Sequence, residues 1–185
     1  EGGVRTLSAP RRRIGSAGHD AAQRGPDAID VIRQVHEAGG IVVATGGCFD
    51  LLHVGHLQTL RAARARGDAL VVCLNSDDSV RRLKGPTRPL MSQQDRAELL
   101  LALDCVDAVV VFDEDTPLAV LDLLRPDVWV KGGDYIAELL PEHELVASWG
   151  GVVQTVPFLP GRSTTALVTA LEGPADATDS ETINK

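Results

Sequence analysis

Two histidines, His53 and His56, stand in the segment GGCFDLLHVGH, which covers residues 46–56. They are three residues apart at a predicted helix start, so their side chains can share one helical face. The N-terminus of a helix offers unpaired N–H groups and the positive end of its dipole, and both attract phosphate. Two imidazoles at that point would donate hydrogen bonds to phosphoryl oxygens. A metal site needs a third ligand that no nearby pattern supplies, and a pair of structural histidines is the other alternative.

Two glycines, Gly46 and Gly47, precede the histidines and directly follow the apolar run IVVAT. Because glycine lacks a side chain, the backbone at a strand end can bend sharply there and approach a ligand. A plain tight turn is the alternative. The dinucleotide-binding pattern GxGxxG is absent, which disfavours a nicotinamide or flavin site. Cys48, which comes next, is interpreted as a small packed residue rather than as a nucleophile.

A second polar cluster is GRSTT, residues 161–165, which comes where the last predicted strand gives way to the last predicted helix. Serine and threonine commonly cap helices, and a cap requires no further function. Three consecutive hydroxyl residues beside Arg162 exceed what one cap requires. We therefore expect a second polyphosphate-binding site on the same edge of the sheet.

Positive charge is concentrated in RRLKGPTRP, residues 81–89, and this segment contributes Arg81, Arg82, Lys84 and Arg88. Surface cations are usually just solvated, but the chain carries a formal net charge of -8. The cluster therefore predicts a mobile anion-binding loop. Further along, KGGDY (131–135) follows another predicted strand and is interpreted as a wall of the nucleotide or acceptor site, with a simple turn as the alternative.

The elements that must position these residues alternate between strand and helix patterns. Near-continuous apolar runs predict strands at 41–45, 69–75, 108–112, 127–131 and 152–156, as expected where helices cover both faces of a parallel sheet. Helical patterns lie at about 27–38, 55–66, 92–103, 117–124, 137–149 and 163–171. The alternation predicts an α/β fold, a Rossmann-like doubly wound sheet of five parallel strands. Ligands of such sheets bind at the carboxyl ends of the strands, where GGCFDLLHVGH lies.

Length and composition limit the classes of protein that this chain can be. Its 185 residues suit one domain, which we place at 26–172 between a flexible arm (1–25) and a disordered tail (173–185). The acidic balance does not suit a nucleic-acid-binding protein, and no apolar stretch reaches the length of a membrane span. Three widely spaced cysteines favour reduced thiols in the cytoplasm. Because the first residue is Glu1 rather than Met, we expect a piece of a longer or processed protein.

At several separated motifs the chain resembles a known family. GCFDLLHVGH together with GRSTT resembles the cytidylyltransferase-like nucleotidyltransferases. More narrowly, the segments LNSDDSVRRLKGPTRPLMSQQDRAELL, DEDTP, RPDVWVKGGDY and FLPGRSTT are similar to the adenylyltransferase domain of ADP-heptose synthase. The similarity runs from about residue 41 to residue 171.

The resemblance implies a reaction and its partners. It implies transfer of AMP from ATP to D-glycero-β-D-manno-heptose 1-phosphate with release of pyrophosphate, and Mg²⁺ held mainly by the phosphates rather than by protein ligands. It also implies a ribokinase-like sugar kinase, fused or separate, and a homodimer, with neither nucleic acid nor membrane as a partner. The alternatives are a cytidylyltransferase acting on glycerol 3-phosphate or a similar acceptor, and a nucleotide-binding module without catalysis.

The resemblance also assigns roles to residues. The catalytic residues are His53, His56 and Lys84, and the acceptor is assigned to Asp50, Arg88 and Tyr135. The residues assigned to the nucleotide are Gly47, Cys48, Phe49, Gly55, Arg96, Lys131, Gly132, Asp134, Gly161, Arg162, Ser163, Thr164 and Thr165. A related glycerol-3-phosphate enzyme typically carries an arginine where this chain has Phe158, and Arg162 is our substitute for it.

Overall fold

Five strands form one parallel sheet in the computed structural model, which describes residues 27–157. In chain order they are β1 (Val42–Gly47), β2 (Ala69–Asn75), β3 (Ala108–Phe112), β4 (Val128–Gly132) and β5 (Val152–Val156). Their order across the sheet is β3-β2-β1-β4-β5, and every neighbouring pair is parallel. The predicted doubly wound α/β fold is confirmed. The chain order reverses direction at β1, so the carboxyl ends of β1 and β4 form the crevice where such sheets bind ligands.

Helices cover both faces of this sheet. They are α1 (Ala28–Glu37), α2 (Val54–Arg64), α3 (Asp77–Lys84), α4 (Gln93–Leu101), α5 (Leu118–Leu124) and α6 (Glu142–Ala147). One core cluster packs buried residues of α1, α5 and α6 against Trp129 and its neighbours. The other packs α2 and α4 against the opposite face. All seven residues of β2 are buried, which explains why that strand is a continuous apolar run instead of an alternating one.

The end of β1 differs from the prediction, which stopped the strand at Thr45. Gly46 and Gly47 continue the strand and pair in register with β2. Gly46 has a packing reason to lack a side chain, because a Cβ there would lie 2.7 Å from Cη2 of Trp129. Gly46 is thus part of the sheet and makes room for Trp129. The bend that was expected at the glycines comes at Phe49, two residues after Gly47.

The cationic segment also differs from the prediction of a mobile loop. Residues 77–84 form α3, whose N-cap Ser76 accepts a hydrogen bond from the backbone N–H of Ser79. Two aspartates occupy its first turn and three cations its last turn, as the helix dipole favours. The helix ends at Gly85, whose φ of 98° suits glycine. Only residues after 84 form the loop.

The helix predicted at 137–149 is divided in two. A 3₁₀ turn covers Ala137–Leu139, Leu140 is extended, and α6 begins at Glu142. Pro141 explains the break, because proline disfavours the helical conformation in the residue before it and suits the start of a new helix.

Several predictions fall on residues that the structure does not describe. These are the arm (1–25), the tail (173–185), both domain boundaries, the helix at 163–171, Phe158 and the GRSTT cluster (161–165). Between residues 27 and 157, no helix has both the length and the apolar character to cross a membrane.

Candidate active site

The segment between β1 and α2 has an unusual backbone. Phe49 and Leu51 adopt φ values of 45° and 48°, in the left-handed region that non-glycine residues rarely occupy. Such conformations cost about 1–3 kcal/mol each and persist only where the surroundings hold them. Two of them within three residues, next to the histidine pair, indicate a loop shaped for a function.

Asp50, between those two residues, ties this loop to the segment that precedes α4. Its side chain is 1% exposed and forms an ion pair with Nη2 of Arg88 at 2.9 Å. The carboxylate also accepts hydrogen bonds from the backbone N–H groups of Leu90 and Met91 at 3.0–3.1 Å. The carboxylate therefore fixes the position of Arg88 relative to the loop.

Arg96 also holds the loop between β1 and α2 in place. Its fully buried guanidinium donates to the carbonyl oxygens of Cys48 (2.6 Å) and Asn75 (2.9 Å), which lie at the ends of β1 and β2. It also donates to Oδ1 of Asp77 at 2.6 Å and to the carbonyl of Met91 at 3.1 Å. Four of its five N–H donors are thus used on the protein. Although the resemblance assigns Arg96 to the nucleotide, this geometry favours a residue that positions the loop.

Replacing Arg96 with Met is expected to lower the free energy of unfolding by about 3 kcal/mol, because it leaves buried carbonyls and Asp77 without their donor. Arg33→Met is the matched control, since Arg33 is exposed and, among residues 27–157, pairs with the exposed Asp30. This substitution should change stability by less than about 1 kcal/mol. Urea unfolding of both variants measures the difference. Equal losses would contradict the role assigned to Arg96.

His53 is the N-cap of α2. Its Nδ1 accepts a hydrogen bond from the backbone N–H of Gly55 at 3.1 Å. A neutral histidine that accepts at Nδ1 carries its proton on Nε2, so Nε2 is left as a donor. The ring of His53 stacks on that of His56, with centroids 3.9 Å apart and planes at 25°. The ring of Phe49 also lies next to that of His56, with a centroid distance of 5.4 Å and the planes tilted by 59°.

Both histidines are neutral near pH 7. Burial lowers the pKa of His56 to about 4, together with the charge that His53 gains when it is protonated in acid and with the positive charge of Lys84, although Asp50 opposes this shift. Burial also lowers the pKa of His53. Within residues 27–157, the buried Nδ1 of His56 has no hydrogen-bond partner. The pair therefore offers neutral hydrogen-bond donors, which stay protonated at one nitrogen over the whole physiological range.

Protonation of His56 is expected to destabilise the fold as the pH falls from 6.5 to about 4. The folded pKa is about 4, below the ordinary 6.5, so the unfolded chain binds this proton first and stability decreases through that window. The contribution of neutral His56 to the free energy of unfolding is complete above about pH 6.5 and is lost below about pH 4. Urea unfolding of wild type and His56→Gln at several pH values measures it. The variant should lose less stability over this interval, and equal losses would contradict the assignment.

The cations of α3 point to different partners. Arg81 pairs with Asp78, and Nε of Arg82 lies 2.7 Å from Oδ1 of Asp115. Lys84, in the last turn, is exposed, and its charge helps to lower the pKa of His56. Of these three cations, Lys84 is therefore the one whose charge lowers the pKa of His56.

The end of β4 forms the other wall of the crevice. Thr45 is paired with Val130, so Lys131 lies beside the glycine end of β1. Its Nζ donates to Oε1 of Glu142 at 2.6 Å, and Glu142 is 2% exposed. The ring of Tyr135 lies 5.8 Å from the same Nζ.

Sequence reasoning missed Glu142, because a glutamate in the first turn of a helix looks like an ordinary surface residue. Only the packing of α6 shows that it is buried against Lys131. Asp134 and Tyr135, by contrast, are exposed beyond the end of β4.

The structure thus brings most of the predicted site residues to the carboxyl edge of the sheet. Around the ends of β1 and β2 lie Cys48, Phe49, Asp50, His53, Gly55, His56, Lys84, Arg88 and Arg96, and after β4 lie Lys131, Gly132, Asp134 and Tyr135. Gly47 ends β1, and a Cβ there would lie 3.3 Å from the Phe49 ring. Among the residues from 27 to 157, no group of three or more His, Cys, Asp and Glu side chains is arranged to hold a metal ion. The roles that the predicted site residues play toward a ligand stay predictions.

Comparison with known proteins now identifies the family. The sequence pattern described as cytidylyltransferase-like matches residues 44–172. The chain belongs to the cytidylyltransferase-like family. The matched range includes the whole loop from β1 to α2, the end of β4 and the GRSTT cluster, so the resemblance based on those motifs is confirmed.

Curated relatives of this cytidylyltransferase-like chain share one name. It is 62% identical over 135 residues to the bifunctional protein HldE of Streptomyces coelicolor, covering 72% of this chain and 29% of that protein. It is 57% identical over 139 residues to HldE of Syntrophotalea carbinolica, covering 75% and 28%. For HldE of Geobacter sulfurreducens the values are 51% over 172 residues, 90% and 35%. The chain therefore spans about a third of the length of these relatives.

A solved structure agrees with the fold. The lipopolysaccharide core biosynthesis protein from Thermoplasma volcanium is 30% identical, with a TM-score of 0.53. The superposition covers 65% of this chain and 98% of that protein. The two proteins thus share a fold over about two thirds of this chain.

Proposed function

We propose that this chain transfers AMP from ATP to D-glycero-β-D-manno-heptose 1-phosphate, forming ADP-heptose and pyrophosphate. The observation that carries the proposal is the stacked, neutral pair of His53 and His56 at the N-terminus of α2. It lies at the carboxyl end of β1, where the fold binds its ligands. The relatives named HldE and the lipopolysaccharide core biosynthesis protein support the choice of substrates.

In this reaction an oxygen of the sugar phosphate attacks the α-phosphorus of ATP, and the bond between the α-phosphorus and the bridging oxygen breaks. A phosphate monoester is already mostly dianionic at neutral pH, because its second pKa is about 6. The enzyme therefore needs no general base. Its task is to hold two anions in line and to stabilise the charge that develops on the leaving pyrophosphate.

The described residues suit that task. Nε2–H of His53, fixed by the bond at Nδ1, donates to a phosphate of ATP, and His56 donates at the α-phosphate. Lys84 adds a positive charge from the end of α3. Ser163, Thr164, Thr165 and Arg162 are assigned to the β and γ phosphates as the resemblance implies, although they lie outside the described residues.

Mg²⁺ is part of this proposal. Neutral imidazoles and a lysine are donors that match an anionic triphosphate, and the described residues include no cluster that would ligate the ion. Phosphate oxygens would hold the ion, which supplies charge neutralisation when bound.

A kinase partner or kinase domain also belongs to the proposal, supported by the word bifunctional in the relatives' names. So does a cytoplasmic location, supported by three cysteines without disulfides. The homodimer stays a prediction.

The test is pyrophosphate release from ATP or CTP with a panel of acceptors, with product masses determined in parallel. We expect turnover with ATP and heptose 1-phosphate, and none with a sugar 6-phosphate, whose phosphate is not at the anomeric carbon. Preference for CTP with glycerol 3-phosphate would favour the cytidylyltransferase that the family's description suggests. Binding of ATP without turnover of any acceptor would favour a non-catalytic module.

A further inference from the structure

Glu142 is a buried acid of which the protein satisfies only one oxygen. The residue is 2% exposed, and its Oε1 accepts a hydrogen bond from Nζ of Lys131 at 2.6 Å. Within residues 27–157, the other oxygen, Oε2, is buried without a hydrogen-bond partner. A buried acceptor without a donor is costly, and native structures seldom keep one without a reason. Oε2 is therefore an acceptor position that the described residues leave unfilled.

This carboxylate belongs to the wall of the crevice that follows β4. Lys131 is the fourth residue of that strand and pairs in register with Thr155 of β5. Its side chain is 33% exposed, and its Nζ lies 5.8 Å from the centre of the Tyr135 ring. The Tyr135 residue is 51% exposed. A donor, an unfilled acceptor and an open aromatic ring thus lie together at the carboxyl edge of the sheet.

The charge of this wall is balanced. Glu142 compensates the ammonium of Lys131 in direct contact, and the next ionisable residue along the chain, the exposed Asp134, is acidic. A phosphate group binds best to cations and N–H donors whose charge is available to it. A neutral heterocycle instead needs hydrogen bonds and a flat surface. The wall after β4 therefore suits the base of a nucleotide better than its phosphates.

Lys131 and Glu142 also present a donor next to an acceptor. An ammonium group only donates, and an ionised carboxylate only accepts. Adenine offers the complementary pair, because its N7 accepts and the adjacent 6-amino group donates, whereas guanine has acceptors at both N7 and O6. A carboxylate oxygen that faced O6 would stay without a donor. The pair therefore matches a 6-amino purine and disfavours a 6-oxo purine.

We propose that Glu142 selects the nucleobase: its Oε2 accepts a hydrogen bond from the amino group of adenine while Nζ of Lys131 donates to the adjacent ring nitrogen. Oε2 is buried in the ligand-free protein, and the partly exposed, flexible side chain of Lys131 shifts to admit the base. Tyr135, which the resemblance assigns to the acceptor, supplies a face on which the base stacks. The inference rests on the proposed function, because it takes ATP as the nucleotide.

The test compares calorimetric binding of ATP and of inosine triphosphate, which carries a 6-oxo group in place of the amino group, to the full chain. We expect wild type to bind ATP about 10–100-fold more tightly, the discrimination typical of one bidentate base contact. Glu142→Gln should reduce this ratio to about threefold or less, because the amide can donate to the 6-oxo group. Glu144→Gln is the matched control on the same helix, since Glu144 is exposed, and it should keep the wild-type ratio.

A third nucleotide, 2′-deoxy-ATP, separates the base from the ribose. Equal binding of ATP and inosine triphosphate to wild type would overturn the inference. An unchanged ratio in Glu142→Gln would do the same, as would a variant that lost only the preference for ATP over 2′-deoxy-ATP, because Glu142 would then face the ribose.

A variant that fails to fold does not leave the inference untested. Glu142→Asp decides in that case, since it keeps the charge but withdraws the carboxylate by one methylene group. A reduced preference for ATP over inosine triphosphate would support the inference, and an unaltered preference would overturn it. These binding measurements use no acceptor, so an absence of turnover would contradict the proposed function alone.

Discussion

His56→Ala is expected to lower kcat for ADP-heptose formation by about 10²–10³-fold, the cost typical of losing one pre-positioned donor to a transition-state charge. The ring of His56 contacts the rings of both His53 and Phe49, so these contacts hold it in place before any ligand arrives. Its pKa of about 4 keeps it a neutral donor, and kcat should therefore not follow a titration of this residue between about pH 6 and pH 8. Steady-state pyrophosphate release measures both effects.

His53→Asn is the matched comparison, because it separates capping from donation. Asparagine is a good N-cap, and its side-chain oxygen can replace Nδ1 as the acceptor of the Gly55 N–H, but it has nothing at the position of Nε2. The variant should unfold within about 1 kcal/mol of wild type while its turnover falls about 10²-fold. Near-normal turnover in both His53→Asn and His56→Ala would show that the histidines are structural, which is the alternative that the sequence left open.

The sheet and its ligand edge could be predicted because burial on both faces leaves a direct record in the sequence. A strand such as β2, with every residue buried, must be apolar throughout. The end of β1 could not be predicted as well. Glycine usually marks a turn, and only the packing of Trp129 against Gly46 shows why the strand continues. The apolar pattern of β1 does not show that a large side chain from the neighbouring strand β4 occupies the space beside Gly46.

Helix α3 was missed for a related reason. It has eight residues, of which only Ser79 and Val80 are buried, so its hydrophobic periodicity is too short to recognise beside so many charges. Its signals are local instead: the Ser76 cap, acidic residues in the first turn and basic residues in the last. These signals are weak in isolation, and the helix depends on its packing against the sheet.

In the site, too, residue types can be read from the sequence, whereas side-chain contacts are known only from the structure. The residue types His53, His56, Lys84 and Arg88 indicate phosphate chemistry, and the fold brings them to one edge. Whether a cation faces a ligand or the protein depends on contacts between distant segments. Arg96 faces two carbonyls from strand ends 21 and 48 residues away, a relation that no short motif contains.

Lys84→Met is expected to lower kcat about 10²-fold, because the charge of Lys84 acts on His56 and would stabilise charge on the transferring phosphoryl group. The same substitution should raise the pKa of His56, since the charge of Lys84 is one of the causes that lower it. An NMR titration of the ligand-free protein measures this shift independently of activity.

Arg81→Met is the control for removing a cation from the same helix, because the charge of Arg81 is paired with Asp78. It should change neither kcat nor the pKa of His56. If Lys84→Met raised the pKa of His56 but left kcat near wild type, Lys84 would be close to the pair without acting on the transition state. If kcat fell while the pKa stayed constant, Lys84 would act only after the ligand has moved it. A lysine that already lies beside the histidines and also stabilises the transition state requires both changes together.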